Sequence, residues 1–292
     1  MDFQVLLFYK YVDIEDPKTV AARVRGLATK YHLTGRGIIA TEGINVTLEG
    51  NTPDTELFLA DLLTDPRFSD IISKRSVGTG DSFPRLSIKV RDEIVGTRFP
   101  QELADPRVST APHIPPEKLK EMYEKEEDFV VIDMRNDYEF ASGHFKNSID
   151  PGMKSSRDLP LTLPKLEQYK KKKVVTVCTG GVRCEKMAAY LQSNGFEDVS
   201  QLDSGIHAYM EKYPGEDFLG TLYTFDKRKV MHFGGENREI IGTCMRCSAK
   251  TESYVNCANL LCHDHFLLCD DCQESKGVFC SDSCKEKTLQ PA

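Results

Sequence analysis

No stretch of this chain is apolar for the roughly 20 residues that a membrane-spanning helix requires. Its start, Met1-Asp2-Phe3-Gln4-Val5, has no basic segment leading into an apolar one. The expectation is a cytoplasmic protein with no membrane partner. Positive charge is also short: 45 acidic residues outnumber 38 basic ones, for a net charge of −7. That balance excludes a generally basic nucleic-acid coat and no DNA partner is expected, although a local basic surface is still allowed. Cysteine is nearly absent from most of the chain, because eight of the ten fall after residue 243. A disulfide scaffold, which suits small secreted chains, is therefore not the expectation. No internal repeat, low-complexity tract, or haem, flavin or nonhaem-iron motif is recognisable.

What remains is ordinary soluble composition, 40% hydrophobic and 28% charged, in 292 residues, too many for one ordinary core. The sequence centres on Cys178-Thr179-Gly180-Gly181-Val182-Arg183-Cys184. The β-branched run Val174–Val177 before it reads as a buried strand, and Glu185–Leu191 after it has helical spacing and ends near Gly195. A loop that opens a helix points backbone N–H groups at one spot, where the helix dipole favours an anion. A thiolate at Cys178 occupies that spot, Gly180 and Gly181 allow the loop to wrap, and Arg183 adds a cation. The thiol pKa is expected below its usual value of about 8.5, which makes Cys178 a nucleophile. The competing reading is a small buried hydrophobe after a core strand.

Residues 1–99 read as an α+β domain. Val5–Tyr9, Gly37–Ala40, Ile44–Leu48 and Leu86–Val90 are expected strands; Pro17–Lys30, capped by Asp16, and Asp54–Leu63 are expected helices. Their β-α-β-β-α-β order suggests a ferredoxin-like fold. Lys74, Arg75, Arg85, Lys89, Arg91 and Arg98 outnumber Asp81, Asp92 and Glu93 in one strip, which would either track an RNA backbone or form a solvated sheet face. Prolines make 100–113 a linker. Residues 114–215 alternate strands, including Phe129–Asp133, with helices at 116–126, 184–194 and 206–213; this predicts an α/β unit whose parallel sheet carries Cys178 beyond its carboxyl ends. Lys170–Lys173 reads as a solvated helix end or a phosphate contact. The connector, 216–243, suggests a hairpin of 221–225 with 229–233. Over 227–250, Lys227, Arg228, Lys229, Arg238, Arg246 and Lys250 face only Glu236 and Glu239, a stronger basic patch.

In the tail, 244–285, Cys244/Cys247, Cys257/Cys262, Cys269/Cys272 and Cys280/Cys284 are four short-spaced pairs. Eight thiolates suit two structural zinc sites of four cysteines each, and so small a module needs such staples. Pairing can be sequential, 244/247 with 257/262, or interleaved, 244/247 with 269/272. His263 and His265 are possible substitutes, more naturally surface histidines, and disulfides are the competing reading.

Read together, Val131–Phe145 and Cys178–Arg183 resemble the upstream segment and the six-residue active loop of a rhodanese domain. In rhodaneses the loop cysteine carries a persulfide; related phosphatases use a longer loop, so Cys-x4-Arg favours sulfur over phosphoryl chemistry. Asp133-Met134-Arg135-Asn136, Cys178–Lys186, Glu42-Gly43-Ile44-Asn45 and the eight-cysteine tail together resemble the bacterial rhodanese-like tRNA uridine hydroxylases. That resemblance implies an enzyme that forms 5-hydroxyuridine at the wobble position, uridine 34, with molecular oxygen as co-substrate and the tRNA anticodon arm as partner. Asp203-Ser204-Gly205-Ile206 departs from the family's usual Gly-Gly-Ile.

The expected site is thus catalytic Cys178 and Arg183, supported by Thr179, Gly180, Gly181, Val182, Cys184, Asp133 and Arg135. Asp133 and Arg135 are expected to pair and brace the loop, Glu139 and His144 to tie a helix and turn to the sheet. Cys184 would either resolve a persulfide at Cys178 or pack in the core. RNA would meet the N-terminal domain and the 227–250 segment. A sulfurtransferase with a sulfur-donor partner and a non-catalytic RNA-binding scaffold are the alternatives; how oxygen is activated has no account in the sequence.

Overall fold

The computed structural model describes residues 2–234 and 239–289. Arg238 and Glu236 of the basic patch lie outside them. The chain begins with β1 (Phe3–Tyr11), α1 (Pro17–Lys30), β2 (Thr34–Ala40), β3 (Gly43–Asn51), α2 (Thr52–Leu63), β4 (Lys74–Val77) and β5 (Leu86–Val90). The Asp16 carboxylate accepts from the amides of Lys18 and Thr19 and so caps α1, whose Val20 and Val24 pack into one core with Phe8, Ile44, Val46 and Phe58. The sheet order is β4-β1-β3-β2-β5. The final strand of the β-α-β-β-α-β unit is therefore β4, antiparallel to β1, whereas the expected Leu86–Val90 is a fifth strand, parallel to β2 at the opposite edge. Lys-Arg-Ser-Val has no apolar alternation to reveal it. This order also breaks the basic strip in two, because Lys74 and Arg75 lie on one edge and Lys89 and Arg91 at the other, three strands apart.

The middle of the chain carries β6 (His113–Ile114), α3 (Pro116–Glu124), β7 (Phe129–Asp133), α4 (Asp137–Ser142), β8 (Gly143–Phe145), α5 (Leu159–Leu166), β9 (Lys173–Val177), α6 (Val182–Ser193), β10 (Asp198–Leu202) and α7 (Gly205–Lys212). Strands β6-β10-β9-β7 form a parallel sheet with β9 central, its Val174, Val175 and Val177 fully buried between two apolar clusters. Helices cover both faces, as a parallel sheet requires. Lys170, Lys172 and Lys173 pair with Glu167, Asp128 and Glu127, so this lysine run is a solvated, ion-paired surface.

Next, β11 (Phe218–Gly220) pairs with β8, and β12 (Leu222–Tyr223) pairs with β13 (Val230–Met231). This hairpin is shorter than its apolar pattern suggests, because the Asp226 carboxylate accepts from the Arg228 amide and Lys229 takes a positive φ of 64°, ending the ladder. The tail holds β14 (Tyr254–Asn256), β15 (His265–Leu267), α8 (Asp270–Lys276) and α9 (Asp282–Leu289). It docks on α4 through aromatic contacts: His265 stacks on Tyr254 at 5.0 Å, Tyr223 meets Tyr254 edge-on at 4.9 Å, and the Tyr254 hydroxyl donates to the Tyr138 carbonyl. Among the described residues no helix is long and apolar enough to cross a membrane.

The turn into α7 supports the Cys178 loop from below. The amides of Ile206 and His207 donate to the carbonyls of Cys178 and Thr179 at 2.9 and 3.1 Å. Ser204 and Gly205 reach that position with φ of 60° and 71°, and a Cβ on Gly205 would lie 2.5 Å from the Cys178 carbonyl oxygen and 2.7 Å from the Gly181 nitrogen. Serine tolerates the left-handed region at modest cost where only glycine fits the next position. Gly205→Ala is expected to destabilise the protein by about 2 kcal/mol or more, read as a lower thermal midpoint; an unchanged midpoint would contradict this packing.

Candidate functional site

Strand β9 delivers Cys178 to the carboxyl end of the parallel sheet, and the chain turns through Thr179, Gly180 and Gly181 into the first turn of α6. Gly181, with φ of 98°, lets its own amide donate to the Cys178 sulfur at 3.2 Å. Gly180 serves a different need: a Cβ there would lie 2.9 Å from Leu7 of β1. The N-terminal sheet rests directly on the loop. Tyr9 donates from its hydroxyl to Glu185 at 3.0 Å, and Tyr11 to the Val182 carbonyl at 3.2 Å.

Burial pushes the Cys178 thiol up, but the hydrogen bond from the Cys184 thiol, the Arg183 charge and the converging amides of Cys184 and Arg183 outweigh it, so the group sits below its ordinary value. Cys184, also fully buried, is pushed well up by its burial and by donating to Cys178. One thiolate and one thiol therefore share the site.

Arg183 does not point its hydrogen bonds at the sulfur. Its guanidinium makes a two-pronged pair with Glu139 at 2.6 and 2.8 Å and donates to the Thr179 hydroxyl at 3.3 Å. Glu139 is wholly buried, and it accepts the Asn136 amide as well. Burial alone would raise its carboxyl, yet Arg183 and Arg135 hold it below the usual range. Behind it, the fully buried Arg135 pairs with Asp133 at 2.5 Å and donates to the carbonyls of Glu139 and Gly143. The expected Asp133–Arg135 brace is in place. Glu139, expected only to tie down a helix, holds the active-loop arginine instead; His144 stays in the expected local role, stacked on Phe140 with a ring nitrogen near its carbonyl.

Cys178 is fully buried, yet it is among the residues that line a cavity of about 550 Å³, within the ~300–1,000 Å³ range of small-ligand sites. Its walls come from three parts of the chain: Arg36, Asn45 and Thr47 of the first sheet, Ile94–Gly96 beyond it, Asn136, Ser155–Arg157 and the Cys178 loop of the central unit, and Phe225 of the hairpin. The Glu42-Gly43-Ile44-Asn45 motif sets one wall. Glu42 accepts the Ile94 amide at 2.8 Å, Asn45 donates to the Ile94 carbonyl at 3.2 Å, and Lys186 of α6 bridges Glu42 and Glu93 at 2.7 and 2.8 Å. Phe225 lies between two guanidinium groups, with Arg36 5.0 Å and Arg183 5.6 Å from its ring centre.

Of the expected RNA contacts, Arg85, Lys89 and Arg91 are exposed and Lys229 is half-buried. Arg75 pairs with Glu56 and Lys227 with Asp81, while Arg228 is held by Asp226, Ser76 and the Val77 carbonyl. Lys74 is buried beside the Cys178 loop. Arg36, Lys186 and Glu139 are functional candidates that sequence reasoning missed. An arginine between two strand glycines was the one signal for Arg36.

In the tail the sulfurs gather as Cys244, Cys247, Cys269, Cys272 and as Cys257, Cys262, Cys280, Cys284, each set within 4.8 Å. The arrangement is the interleaved one, and neither histidine joins it. Sulfur separations of 3.4 to 3.7 Å match the about 3.8 Å edge of a tetrahedron with metal–sulfur bonds of about 2.3 Å. Both groups can hold a metal ion.

Residues 3–94 match the UPF0176 acylphosphatase-like domain, 115–212 the rhodanese-like domain and 219–285 the rhodanese C-terminal family model. A tRNA uridine(34) hydroxylase of Staphylococcus carnosus is 38% identical over 289 residues, 98% of this chain and 90% of that protein. One of Cytophaga hutchinsonii is 38% identical over 97% of this chain and 90% of its own. A solved rhodanese-like domain protein from Staphylococcus aureus is 25% identical over 44% of this chain and 97% of its own, with a TM-score of 0.30.

Two outcomes follow from this geometry. Alkylation of Cys178 is expected to rise with pH through a midpoint below the about 8.5 of free cysteine, and Arg183→Met to move that midpoint up by about one unit or more; a wild-type midpoint at the free value would contradict the site. Cys269→Ser is expected to lose the ion held with Cys244 and leave the other, read as a fall from about two metal ions to about one per chain; loss of neither or both would contradict the pairing.

Proposed function

Because the chain belongs to the tRNA uridine(34) hydroxylase family, we propose that it is the enzyme that hydroxylates C5 of uridine 34 in tRNA, with molecular oxygen as co-substrate and Cys178 as the catalytic residue. The observation that carries this reading is a stabilised thiolate on the floor of a cavity large enough for a nucleoside and walled by the N-terminal sheet, the central unit and the hairpin. A base at a loop position can be turned out of its stack into such a cavity, at a cost of a few kcal/mol.

The Cys178 sulfur adds to C6 of the uracil ring, which makes C5 the nucleophilic carbon. The amides and the Arg183–Glu139 pair hold the sulfur in position and in its charged form. C5 then bonds to oxygen, its proton leaves and the sulfur is expelled. Overall, C5–H becomes C5–OH, the second oxygen atom leaves as water, and two electrons and two protons are consumed. Closing of Cys178 and Cys184 to a disulfide supplies the two electrons; because Cys178 enters as the thiolate, the Cys184 thiol supplies one proton and water the other. Arg36, Asn45, Thr47 and Arg157 offer donors to the carbonyl edges of the base, and Phe225 offers a ring against which it stacks. The anticodon arm lies over the exposed Arg85, Lys89 and Arg91 edge. The two four-cysteine groups hold structural zinc, whose filled coordination leaves no position for substrate.

Nucleoside mass analysis of tRNA from cells lacking the protein tests this. Wild type is expected to restore 5-hydroxyuridine derivatives, Cys178→Ala to restore none, and Cys184→Ser to fall by about tenfold or more for a step short of 1.4 kcal/mol. Unchanged nucleosides with Cys178-dependent thiosulfate:cyanide activity would replace the reading with sulfur transfer. Rescue by Cys178→Ala would leave a binding scaffold.

A further inference from the structure

Behind Phe225 the main cavity adjoins a smaller recess of about 50 Å³, which shares Leu7, Arg36, Thr47, Thr179 and Phe225 with it. On a scale of about 10–15 Å³ per water site, the recess has space for a small cluster of oxygen atoms. Strand β4 contributes Lys74, α7 contributes His207, and the hairpin contributes Asp226 and Arg228.

The polar groups of this recess are short of acceptors. Lys74 is only 8% exposed, and among the described residues its ammonium has no direct ion pair and no hydrogen bond, only the Tyr9 ring at 5.0 Å; burial holds its pKa down at about 8 against the more distant charges of Cys178, Asp203, Glu185 and Glu211. His207 is 7% exposed and its Nδ1 makes no hydrogen bond; the nearest carboxylate, Glu211, stands at 3.4 Å. Among the described residues the Arg36 guanidinium has no hydrogen bond or ion pair and lies 5.0 Å from the Phe225 ring centre. Ser76 accepts from Arg228 and keeps its own proton to donate. One carboxylate faces the recess, Asp226, and it is fully engaged by Arg228 and Thr224. Two cations and several N–H and O–H donors thus meet one neutralised acid. An ammonium held out of water with no direct partner is costly, and an anion seated in the recess would relieve that cost.

We propose that the recess is an oxyanion site that takes a phosphate group, supplied by the phosphodiester beside the base that occupies the main cavity. The shared walls set the distance between the two: a nucleoside over Cys178 carries its own backbone phosphate about one sugar away. Lys74 and Arg36 then bind the backbone at the reacting nucleotide, whereas the exposed β5 edge touches it farther off. The assignment to RNA rests on the tRNA reading; the oxyanion site itself does not.

Two arms on the full-length, metal-loaded protein test this. In the first, inorganic phosphate is titrated against chloride at constant ionic strength and thermal midpoints are read. Wild type is expected to gain a saturable stabilisation that Lys74→Met lacks, while Lys74→Met is itself more stable than wild type without phosphate, since an unpaired buried charge has gone. In the second, anticodon stem-loops carry one neutral methylphosphonate linkage next to nucleotide 34. Binding is expected to weaken about tenfold or more in wild type, the usual loss for one charge-assisted contact, and less than about twofold in Lys74→Met. A phosphate response without a methylphosphonate effect keeps the oxyanion site and overturns the RNA source. Equal responses of wild type and Lys74→Met in both arms overturn the site. The phosphate arm contains no RNA, so it stands if the tRNA reading fails.

Discussion

The buried ion pair between Arg183 and Glu139 is the constraint on which the site depends. A guanidinium kept almost out of water needs its carboxylate, and removal of one partner would strand a charge in the interior. With Glu139 in place, Arg183 lies across the Cys178 loop, ties Thr179 and contributes charge to a sulfur that burial alone would neutralise. Glu139 is itself held through Asn136 and through Arg135, whose own partner is Asp133. Strand β7 therefore fixes the loop that follows strand β9.

The N-terminal sheet completes the pocket. Glycine at 180 and 181 leaves space for Leu7 and Tyr9 to lie on the loop, and Lys186 locks α6 to Glu42 and Glu93 of the same domain. Neither unit encloses the cavity without the other. Phe225 closes a third side between two guanidinium groups, which links the hairpin to both. A rhodanese loop that in isolation would face solvent here faces a largely apolar chamber whose polar wall groups are neutral side chains and arginines, with no carboxylate among them, suited to a base and its phosphate.

Much of this was legible from local pattern. Val174–Val177 is β-branched and wholly apolar, so the strand, the loop and the helix after it could be read in order, and the Asp16 cap and four of the five N-terminal strands likewise. Lys74–Val77 was not, because an edge strand with alternating inward lysine and outward arginine carries no hydrophobic signal. Glu139 was missed because its partner lies 44 residues away and a glutamate in the first turn of a short helix reads as a local cap. Cysteine spacing announced metal sites, but only the β14–β15 hairpin, which carries the second pair out in its turn and returns the third beside the first, decides their interleaving. The roles of Arg36 and Lys74 arise where separate units meet, and a basic strip counted along the sequence put on one face what the sheet order parts.

The central claim is that the Cys178 sulfur attacks C6 of the base at position 34. An anticodon stem-loop with 5-fluorouridine at that position, incubated with the full-length protein, then denatured and digested, reads this directly by peptide mass. The account predicts a covalent RNA adduct on the peptide bearing Cys178, absent from Cys178→Ser. A reactive wild-type enzyme that forms no adduct, or forms it on another residue, would contradict it.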